Sequence, residues 1–317
     1  MPLDPDLEGF LELAELGRLS GKHRPLHELG VAEARASFES SSQVLDPAPP
    51  AAVEVSQQRI DTRDGARLEA RLYRPAGSPQ ALPCVLYFHG GGYVVGSLDS
   101  HDSICRRLAA VCGHAVLAPA YRLAPEHVFP VAAQDAEDSA AWLVRHAPTL
   151  AVDSDRLIVA GDSAGATLAT VLAIAAAQGE LAAGFAPRAQ LLFYPVTDAS
   201  RTRPSHARFG EGYLLESDTL EWFYQHYFPH PELRRDWRAS PLLAQALPAL
   251  APAYLSLAEY DPLYDEGLAY AEHLRASGTP VTLLTEHGLT HDFLRMSGIT
   301  GRIDALYSQI ADWLNTL

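Results

Sequence analysis

The chain has little positive charge and few cysteines. Its 317 residues carry 24 lysines and arginines against 39 acidic residues, for a net charge of −15, and Lys22 is its single lysine. Because nucleic acids and anionic membrane surfaces are bound through basic patches, this balance argues against both as partners. Three cysteines, an odd number without metal-ligand spacing, predict no disulfide framework and favour a reducing compartment.

Long apolar segments are also lacking. The longest, around residues 164–177, is too short and too rich in alanine to span a bilayer, and residues 1–6 show no basic region followed by an apolar run. We therefore expect neither a signal peptide nor a transmembrane helix, and a cytoplasmic location by default. A hydrophobic share of 48% and a charged share of 20% are typical of a globular protein.

What the sequence does contain is an alternation of strand-like and helical patterns. The strand-like segments are 53–60, 67–73, 84–88, 115–119, 157–160, 189–194, 253–257 and 281–284. The helical patterns include 101–111, 132–146, 168–177, 264–276 and 302–314. This order predicts an α/β fold with a mostly parallel eight-stranded sheet and helices on both faces. Asp64-Gly65 between the first two strands predicts an antiparallel hairpin at one edge.

The motif Gly161-Asp162-Ser163-Ala164-Gly165 lies between a strand pattern and a helix pattern, which predicts a nucleophile elbow. In such a turn the serine hydroxyl projects clear of the sheet, and the flanking glycines avoid collisions with neighbouring backbone. Ser163 is therefore the predicted nucleophile. Asp162 is interpreted as a structural residue that hydrogen-bonds the turn.

A glycine-rich loop, His89-Gly90-Gly91-Gly92-Tyr93, directly follows the strand at 84–88. Acyl transfer passes through a tetrahedral oxyanion, which fixed backbone N–H groups stabilise. Gly91 and Gly92 are the predicted donors, with Ala164 as the third because it begins the helix after the nucleophile. His89 precedes the serine in the chain and is interpreted as structural. A phosphate-binding loop is disfavoured, since no Gly-Lys-Ser/Thr follows.

The acid and the base of a catalytic triad are expected downstream of the serine, in that order. Asp261 follows the strand at 253–257 and is the predicted acid, with Asp265 as the rival. His291 follows the strand at 281–284 and is the predicted base, with His287 as the alternative. A metal site at the two histidines is disfavoured, because their spacing of four residues would need a helix and Gly288 places them in a loop.

Taken together, these motifs resemble the hormone-sensitive-lipase family of α/β-hydrolases, close to its bacterial carboxylesterases. The matching segments span nearly the whole chain: His89–Tyr93, Tyr121–Glu126, Gly161–Gly165, Asp261–Leu263 and His291. The resemblance implies hydrolysis of carboxylic esters with short acyl chains, no cofactor, and a helical cap over the site. The chain departs from the family in having Asp292 after the catalytic histidine, where glycine is usual, and Tyr264 where arginine is common.

Two segments outside the predicted sheet are assigned to the cap. Residues 1–45 form its N-terminal part and residues 199–246 an insertion, while 46–198 and 247–317 make up the catalytic domain. The proline-rich stretch 46–50 is predicted to be a linker. Within the insertion, Phe209, Tyr213 and Leu215 are expected to contact substrate.

Further interpretations concern residues around the site. Arg122 and Glu126 bracket a proline turn and are expected to form an internal ion pair that holds the loop. Asp292 is expected either to point away from His291 or to raise its pKa. An unpaired strand at 281–284 would allow a homodimer through the sheet edge.

The sequence predicts a carboxylesterase acting on a small-molecule ester. An amidase or deacetylase would use the same residues, differing in how well His291 protonates the leaving group. A catalytically inactive ligand-binding module on the same fold is the alternative from another class.

Overall fold

The computed structural model describes residues 1–46, 49–78, 80–181 and 184–317. Within these residues the chain forms one eight-stranded sheet. Its strands are β1 (Val53–Asp61), β2 (Arg67–Pro75), β3 (Leu82–Phe88), β4 (Ala115–Pro119), β5 (Val152–Asp162), β6 (Pro187–Phe193), β7 (Ala253–Tyr260) and β8 (Val281–Thr290). They lie in the order β1-β2-β4-β3-β5-β6-β7-β8.

The pairing of the strands is mixed at one edge and parallel elsewhere. β1 pairs with β2, and β2 with β4, in antiparallel fashion, whereas all pairs from β4 to β8 are parallel. The predicted hairpin is confirmed, with Val53 opposite Pro75 and Asp61 opposite Arg67. Gly65 in its turn has a φ of +84°, a conformation that glycine adopts without strain.

The helices of the described residues cover both faces of the sheet. They are α1 (Pro5–Leu19), α2 (Val31–Leu45), α3 (Asp102–Cys112), α4 (Val131–His146), α5 (Ala164–Gln178), α6 (Pro204–Phe209), α7 (Ser217–Tyr227), α8 (Tyr264–Ala276) and α9 (Arg302–Leu314). Side chains of α4, α5 and α8 build the core on one face, and side chains of α3 and α9 build the core on the other. The predicted α/β fold is therefore confirmed.

Burial on both faces explains the apolar runs of the central strands. In β3, Cys84, Leu86 and Phe88 point into one core while Val85 and Tyr87 point into the other. Successive side chains of a strand alternate between faces, so a strand covered on both sides has few polar residues. α5 is buried from Ala164 through Ala175, and its small side chains let it lie close to the sheet.

The two segments assigned to the cap contact each other and the core. Imidazole Nδ1 of His27 lies 2.9 Å from the Thr219 hydroxyl of α7. The apolar residues of α1 do not form one buried face: Leu7 is fully buried, whereas Leu13 is 68% and Leu16 62% exposed. In the predicted linker, Pro47 and Ala48 lie outside the described residues. Asp46 is buried and pairs with Arg107 at 3.1 Å.

Across the described ranges, none of the helices has the length and apolar character needed to cross a membrane.

Candidate active site

Ser163 occupies the sharp turn between β5 and α5. Its backbone φ is +52°, a conformation that is strained for a residue with a side chain, and its N–H donates to the Phe193 carbonyl at 2.9 Å. Gly161 and Gly165 pack against each other and against the Phe88 backbone so closely that a Cβ on either would collide with it. The elbow geometry therefore follows from the absence of side chains on both sides of Ser163.

Ser163, His291 and Asp261 form a continuous hydrogen-bonded chain. The Ser163 hydroxyl lies 2.9 Å from His291 Nε2, and His291 Nδ1 lies 2.7 Å from Asp261 Oδ2. This arrangement assigns the proton to Nδ1, which donates to Asp261 and leaves Nε2 free to accept from the serine. The other oxygen of Asp261 accepts from the Leu263 N–H at 2.8 Å. The three residues follow the carboxyl ends of β5, β8 and β7, so the parallel sheet brings them together.

The environment of His291 favours its protonated form. Burial by itself would lower the pKa of the imidazole, but the charge and hydrogen bond of Asp261 raise the pKa by more than that. The carboxylate of Asp292 raises it further. The pKa of His291 therefore lies above its usual value. Asp292 does not point away: its Oδ1 is 3.9 Å from Nε2, and its own backbone has a left-handed φ of +65°.

The loop Gly90–Gly92 is held against the nucleophile elbow. Gly91 has a φ of +111° and Gly92 a φ of +59°, and both line the cavity that contains Ser163. A Cβ on Gly91 would collide with the Val95 carbonyl, and one on Gly92 with the Phe223 ring of α7. Ala164, directly after Ser163, begins α5 and has one of the N–H groups that a helix start leaves unpaired.

Asp162 connects the elbow to this loop. Its carboxylate accepts from the Gly90 N–H at 3.0 Å and from the Tyr87 hydroxyl at 2.6 Å, and lies 3.4 Å from His101 Nε2. His89, on the other side of the loop, stacks on Tyr121 with ring centroids 4.4 Å apart. Burial lowers the pKa of His89 to about 3, so it remains neutral. These contacts are the structural ones expected of both residues.

A cavity of about 180 Å³ opens beside Ser163 and His291. Its walls come from α2, α7, the loop before α7 and the segment after His291, and they are mainly apolar. The described residues that contribute are Phe10, Leu26, Phe38, Ser41, Leu45, Tyr93, Val196, Leu214, Leu215, Thr219, Leu220, Phe223, Tyr224, Asp292, Arg295 and Met296, with the catalytic and loop residues already described.

Comparison with known proteins identifies relatives of this chain. The family described as alpha/beta hydrolase fold matches residues 85–295. The ethyl acetate hydrolase of Pseudomonas putida is 51% identical over 307 residues, which cover 96% of each chain. The chain belongs to the hormone-sensitive-lipase family of α/β-hydrolases. The carboxylic ester hydrolase LipN of Mycobacterium tuberculosis is 37% identical over 302 residues, covering 94% of this hydrolase and 79% of LipN.

Solved structures of esterases superpose over the whole length of the hydrolase. A hyperthermophilic esterase from the archaeon Pyrobaculum calidifontis has a TM-score of 0.91 and 36% identity, with 100% of this chain and 99% of that chain covered. Ester-hydrolase EH1AB1 from the metagenome of Lake Arreo has a TM-score of 0.92 and 34% identity, with 99% and 98% covered.

The rival acid and base of the hydrolase are engaged elsewhere. Asp265 accepts from the Ser205 N–H at 2.8 Å and pairs with Arg208 at 3.0 Å. The side chain of His287 is half exposed and lies 3.2 Å from Glu259. In the described hydrogen bonds of the site, His291 contacts Asp261 and Ser163 instead.

The expected ion pair between Arg122 and Glu126 is wrong. Arg122 pairs with the fully buried Asp135 of α4 at 2.6 Å, and Glu126 pairs with Arg35 of α2 at 2.6 Å. A buried carboxylate needs a charged partner, and Asp135 obtains both the guanidinium and the backbone N–H of Arg122. Local spacing could not reveal partners that come from distant helices.

Two of the three expected substrate contacts lie elsewhere. Phe209 and Tyr213 are not among the described residues that line the cavity: their rings pack on Tyr260, with centroids 5.4 Å and 5.3 Å from it. Leu215 does line it. No local signal in the sequence marked Phe38 or Arg295 as residues of the cavity wall, because α2 and the segment after His291 meet only in the folded chain.

Proposed function

We propose that this α/β-hydrolase cleaves short- to medium-chain carboxylic esters through an acyl-enzyme on Ser163. The observation that carries the proposal is the hydrogen-bonded chain from Asp261 through His291 to Ser163, with distances of 2.7 Å and 2.9 Å. The names of its relatives support ester hydrolysis, and ethyl acetate hydrolase at 51% identity supports a short acyl group. The cavity of about 180 Å³ has room for a small acyl chain.

The first half-reaction forms the acyl-enzyme. Ser163 Oγ attacks the ester carbonyl carbon while His291 Nε2 takes the hydroxyl proton, and Asp261 stabilises the imidazolium. The carbonyl oxygen becomes an oxyanion that the N–H groups of Gly91, Gly92 and Ala164 stabilise. On collapse, the C–O bond to the alcohol breaks and His291 returns the proton to the departing oxygen.

The second half-reaction releases the acid. A water molecule gives its proton to His291 Nε2 and attacks the acyl carbon, and a second oxyanion forms in the same place. Collapse then breaks the bond to Ser163 Oγ, which recovers its proton from His291. The balance of the two halves is ester plus water giving acid plus alcohol.

The test is hydrolysis of p-nitrophenyl esters from acetate to laurate by the wild type and by Ser163→Ala. We expect rates that peak at short chains and a fall in kcat of about 10⁴-fold or more in the variant. Ser308→Ala, at an exposed serine of α9, is the matched control and should behave as the wild type. Activity that survives in Ser163→Ala would contradict the assignment of the nucleophile.

The same series separates the alternatives. An amidase or deacetylase would hydrolyse p-nitroacetanilide at a rate comparable to that for p-nitrophenyl acetate. Both substrates carry an acetyl group on a p-nitrophenyl ring, one through nitrogen and the other through oxygen. A catalytically inactive binding module would hydrolyse neither. We expect the ester to be preferred, because the anilide is a poorer leaving group than the phenolate and departs only when His291 protonates it.

We also propose that residues 1–45 and 199–246 form the cap over a catalytic domain of 46–198 and 247–317. Support comes from the cavity, which side chains of both segments line together with Ser163. The terminal position of β8 in the sheet supports a homodimer through that edge, which the molar mass from light scattering would test. Three free cysteines support a cytoplasmic location, which cell fractionation would test.

A further inference from the structure

Arg295 lies beside the catalytic residues and is almost completely buried. It belongs to the short 3-10 turn Phe293–Arg295, four residues after His291, and 3% of its surface is exposed. Its side chain lines the cavity that holds Ser163 and His291. A positive charge is therefore part of the wall of the catalytic cavity.

The guanidinium of Arg295 has no hydrogen-bond or ion-pair partner in the part of the chain that the structure describes. Its Nε and Nη1 are closed off from solvent without an acceptor. Its Cζ lies 4.0 Å from the centroid of the Phe38 ring, which also lines the cavity. Such a cation–π contact offsets only part of the cost of burying a charge without a counter-ion.

Other arginines with little exposure differ from Arg295 in being paired. Arg107 pairs with Asp46 at 3.1 Å, and Arg122 pairs with Asp135 at 2.6 Å. In each pair the carboxylate is buried and the arginine compensates its charge. Arg295 therefore stands apart from the ion pairs that hold the fold together.

The acids that border a cavity together with Arg295 are engaged by other groups. A second cavity, of about 340 Å³, is bordered by Arg295 together with Asp46, Asp99 and Asp102. Each of these carboxylates is paired with a different arginine. Asp292, three residues before Arg295, has its Oδ1 3.9 Å from Nε2 of His291.

A second polar group without a partner lies in the same region. The hydroxyl of Tyr194 is buried with no hydrogen bond to a described residue, and its ring centroid is 4.6 Å from that of His291. Burial raises the pKa of Tyr194, and Arg295 acts on that pKa in the opposite direction. The guanidinium of Arg295, which lines the cavity and lacks an acceptor, can be satisfied by an anionic oxygen.

We propose that Arg295 is an anion-binding residue that recognises a carboxylate carried by the ester substrate. The proposal rests on the proposed function, because the carboxylate belongs to an ester whose carbonyl is attacked by Ser163. Arg295 donates charge-assisted hydrogen bonds to it, while Phe38 and Met296 contact the carbon atoms between the carboxylate and the ester. The substrates are short esters with one free carboxylate.

That carboxylate can be carried on the acyl side or on the alcohol side. Monoethyl succinate carries it on the acyl side, and ethyl succinamate replaces it with a neutral amide of nearly equal size. Acetoxyacetate carries it on the alcohol side, with acetoxyacetamide as its neutral counterpart. The ratio of kcat/KM for the charged ester to that for its neutral counterpart measures recognition of the carboxylate in each pair.

We expect the wild type to prefer the charged ester of one pair by about tenfold or more, mainly through a lower KM, and that pair identifies the side. In Arg295→Met this ratio falls by about tenfold or more, and in Arg295→Lys, which retains a charge without the planar fork, it falls less. Arg156→Met, at a surface arginine paired with Asp153, is the matched control and retains the wild-type ratio. A wild type that prefers the neutral ester in both pairs would overturn the proposal, as would an unchanged ratio in Arg295→Met.

Binding to Ser163→Ala gives a measurement that depends neither on turnover nor on the folding of an Arg295 variant. Calorimetry should show the charged ester of the preferred pair binding about tenfold more tightly than its neutral counterpart, with the difference reduced by salt. Equal binding of the two overturns the proposal. If the wild type hydrolyses p-nitrophenyl acetate but prefers the charged ester in neither pair, the carboxylate subsite alone is rejected. If it hydrolyses no ester at all, the proposed function is rejected.

Discussion

The strand-end site and the cap segments are held in place by different kinds of contact. At the strand ends, Ser163, Asp261 and His291 are positioned by the backbone of a parallel sheet, and each is at most 6% exposed. The proposed cap segments contact the region around this site through side chains. One example is the stacking of Tyr227 on Tyr93, with ring centroids 4.0 Å apart.

Because of this difference, we expect the strand-end site to determine the reaction rate and the proposed cap segments to determine the substrate preference. Backbone hydrogen bonds and glycine contacts leave the strand-end residues one geometry, which suits a reaction sensitive to small displacements. We expect that side-chain packing of the proposed cap can change without moving the triad. We therefore expect substitutions at the strand ends to reduce kcat for every substrate, and substitutions in the cap to change which substrates are preferred.

The largest effect is expected for Asp261→Asn. The amide cannot hold His291 in the tautomer that accepts the serine proton, so kcat should fall about 10³- to 10⁴-fold without loss of the fold. Asp265→Asn is the matched control, since Asp265 lies four residues later and pairs with Arg208. Steady-state kinetics on p-nitrophenyl acetate measures both, and equal losses in the two variants would contradict the assignment of the acid.

A smaller loss is expected for Gly92→Ala, at the contact between the two regions. The new Cβ would collide with the Phe223 ring and displace an oxyanion donor, so kcat should fall about 10²-fold. Gly113→Ala is the control, because Gly113 has a similar φ of +67° with open space around it. It should lose stability of about 1 kcal/mol, measured by urea unfolding, and no activity. If both variants lose activity equally, backbone strain rather than the collision is the cause.

Within the cap, Leu215→Ala should move the preference for acyl length. Removing this side chain enlarges the cavity, so longer p-nitrophenyl esters should gain in kcat/KM relative to the acetate by about tenfold. Phe209→Ala serves as the control, since the Phe209 ring packs on Tyr260 outside the cavity wall. If the acyl-length preference changes as much in Phe209→Ala as in Leu215→Ala, the distinction between residues that line the cavity and residues that pack behind it is wrong.

The smallest effect is expected for Asp292→Asn. As the proposed base, His291 would act only when neutral, so we expect the acidic limb of the kcat/KM profile to follow its pKa, which Asp261 and Asp292 raise. Removing the Asp292 charge should move that limb to lower pH by roughly half a unit. Asp304→Asn, at an exposed residue of α9, is the control. A profile that stays unmoved in Asp292→Asn would show that its carboxylate does not act on His291.

Most of the sheet could be predicted because its signals are local. Strand-like segments of four to eight residues predicted all eight strands, and the two glycine-rich motifs predicted the turns after β3 and β5. The start of β5 and the end of β8 were not predicted. β5 begins at Val152 and β8 continues to Thr290, because pairing with neighbouring strands extends them through polar residues.

Predictions failed where a contact joins distant parts of the chain. Arg122 and Glu126 are near each other in sequence, yet Arg122 pairs with a residue of α4 and Glu126 pairs with a residue of α2. Phe209 and Tyr213 have the aromatic character of a binding site, yet they pack on β7. Residue type indicates that a side chain will be buried or paired but does not identify its partner.

By itself, therefore, the sequence determined which residues follow which strands. It placed a serine after one strand, an acid and a histidine after two later strands, and glycines where one backbone segment must approach another. Those features depend on local conformation, which short motifs encode. Only the tertiary structure decided which side chains enclose the cavity, that Asp292 lies 3.9 Å from Nε2 of His291, and that Arg295 is buried there without a hydrogen-bond or ion-pair partner among the described residues. The physical reason is that burial and charge compensation depend on every neighbour in space, and some of those neighbours, such as Phe38 and Arg295, are more than two hundred residues apart in the chain.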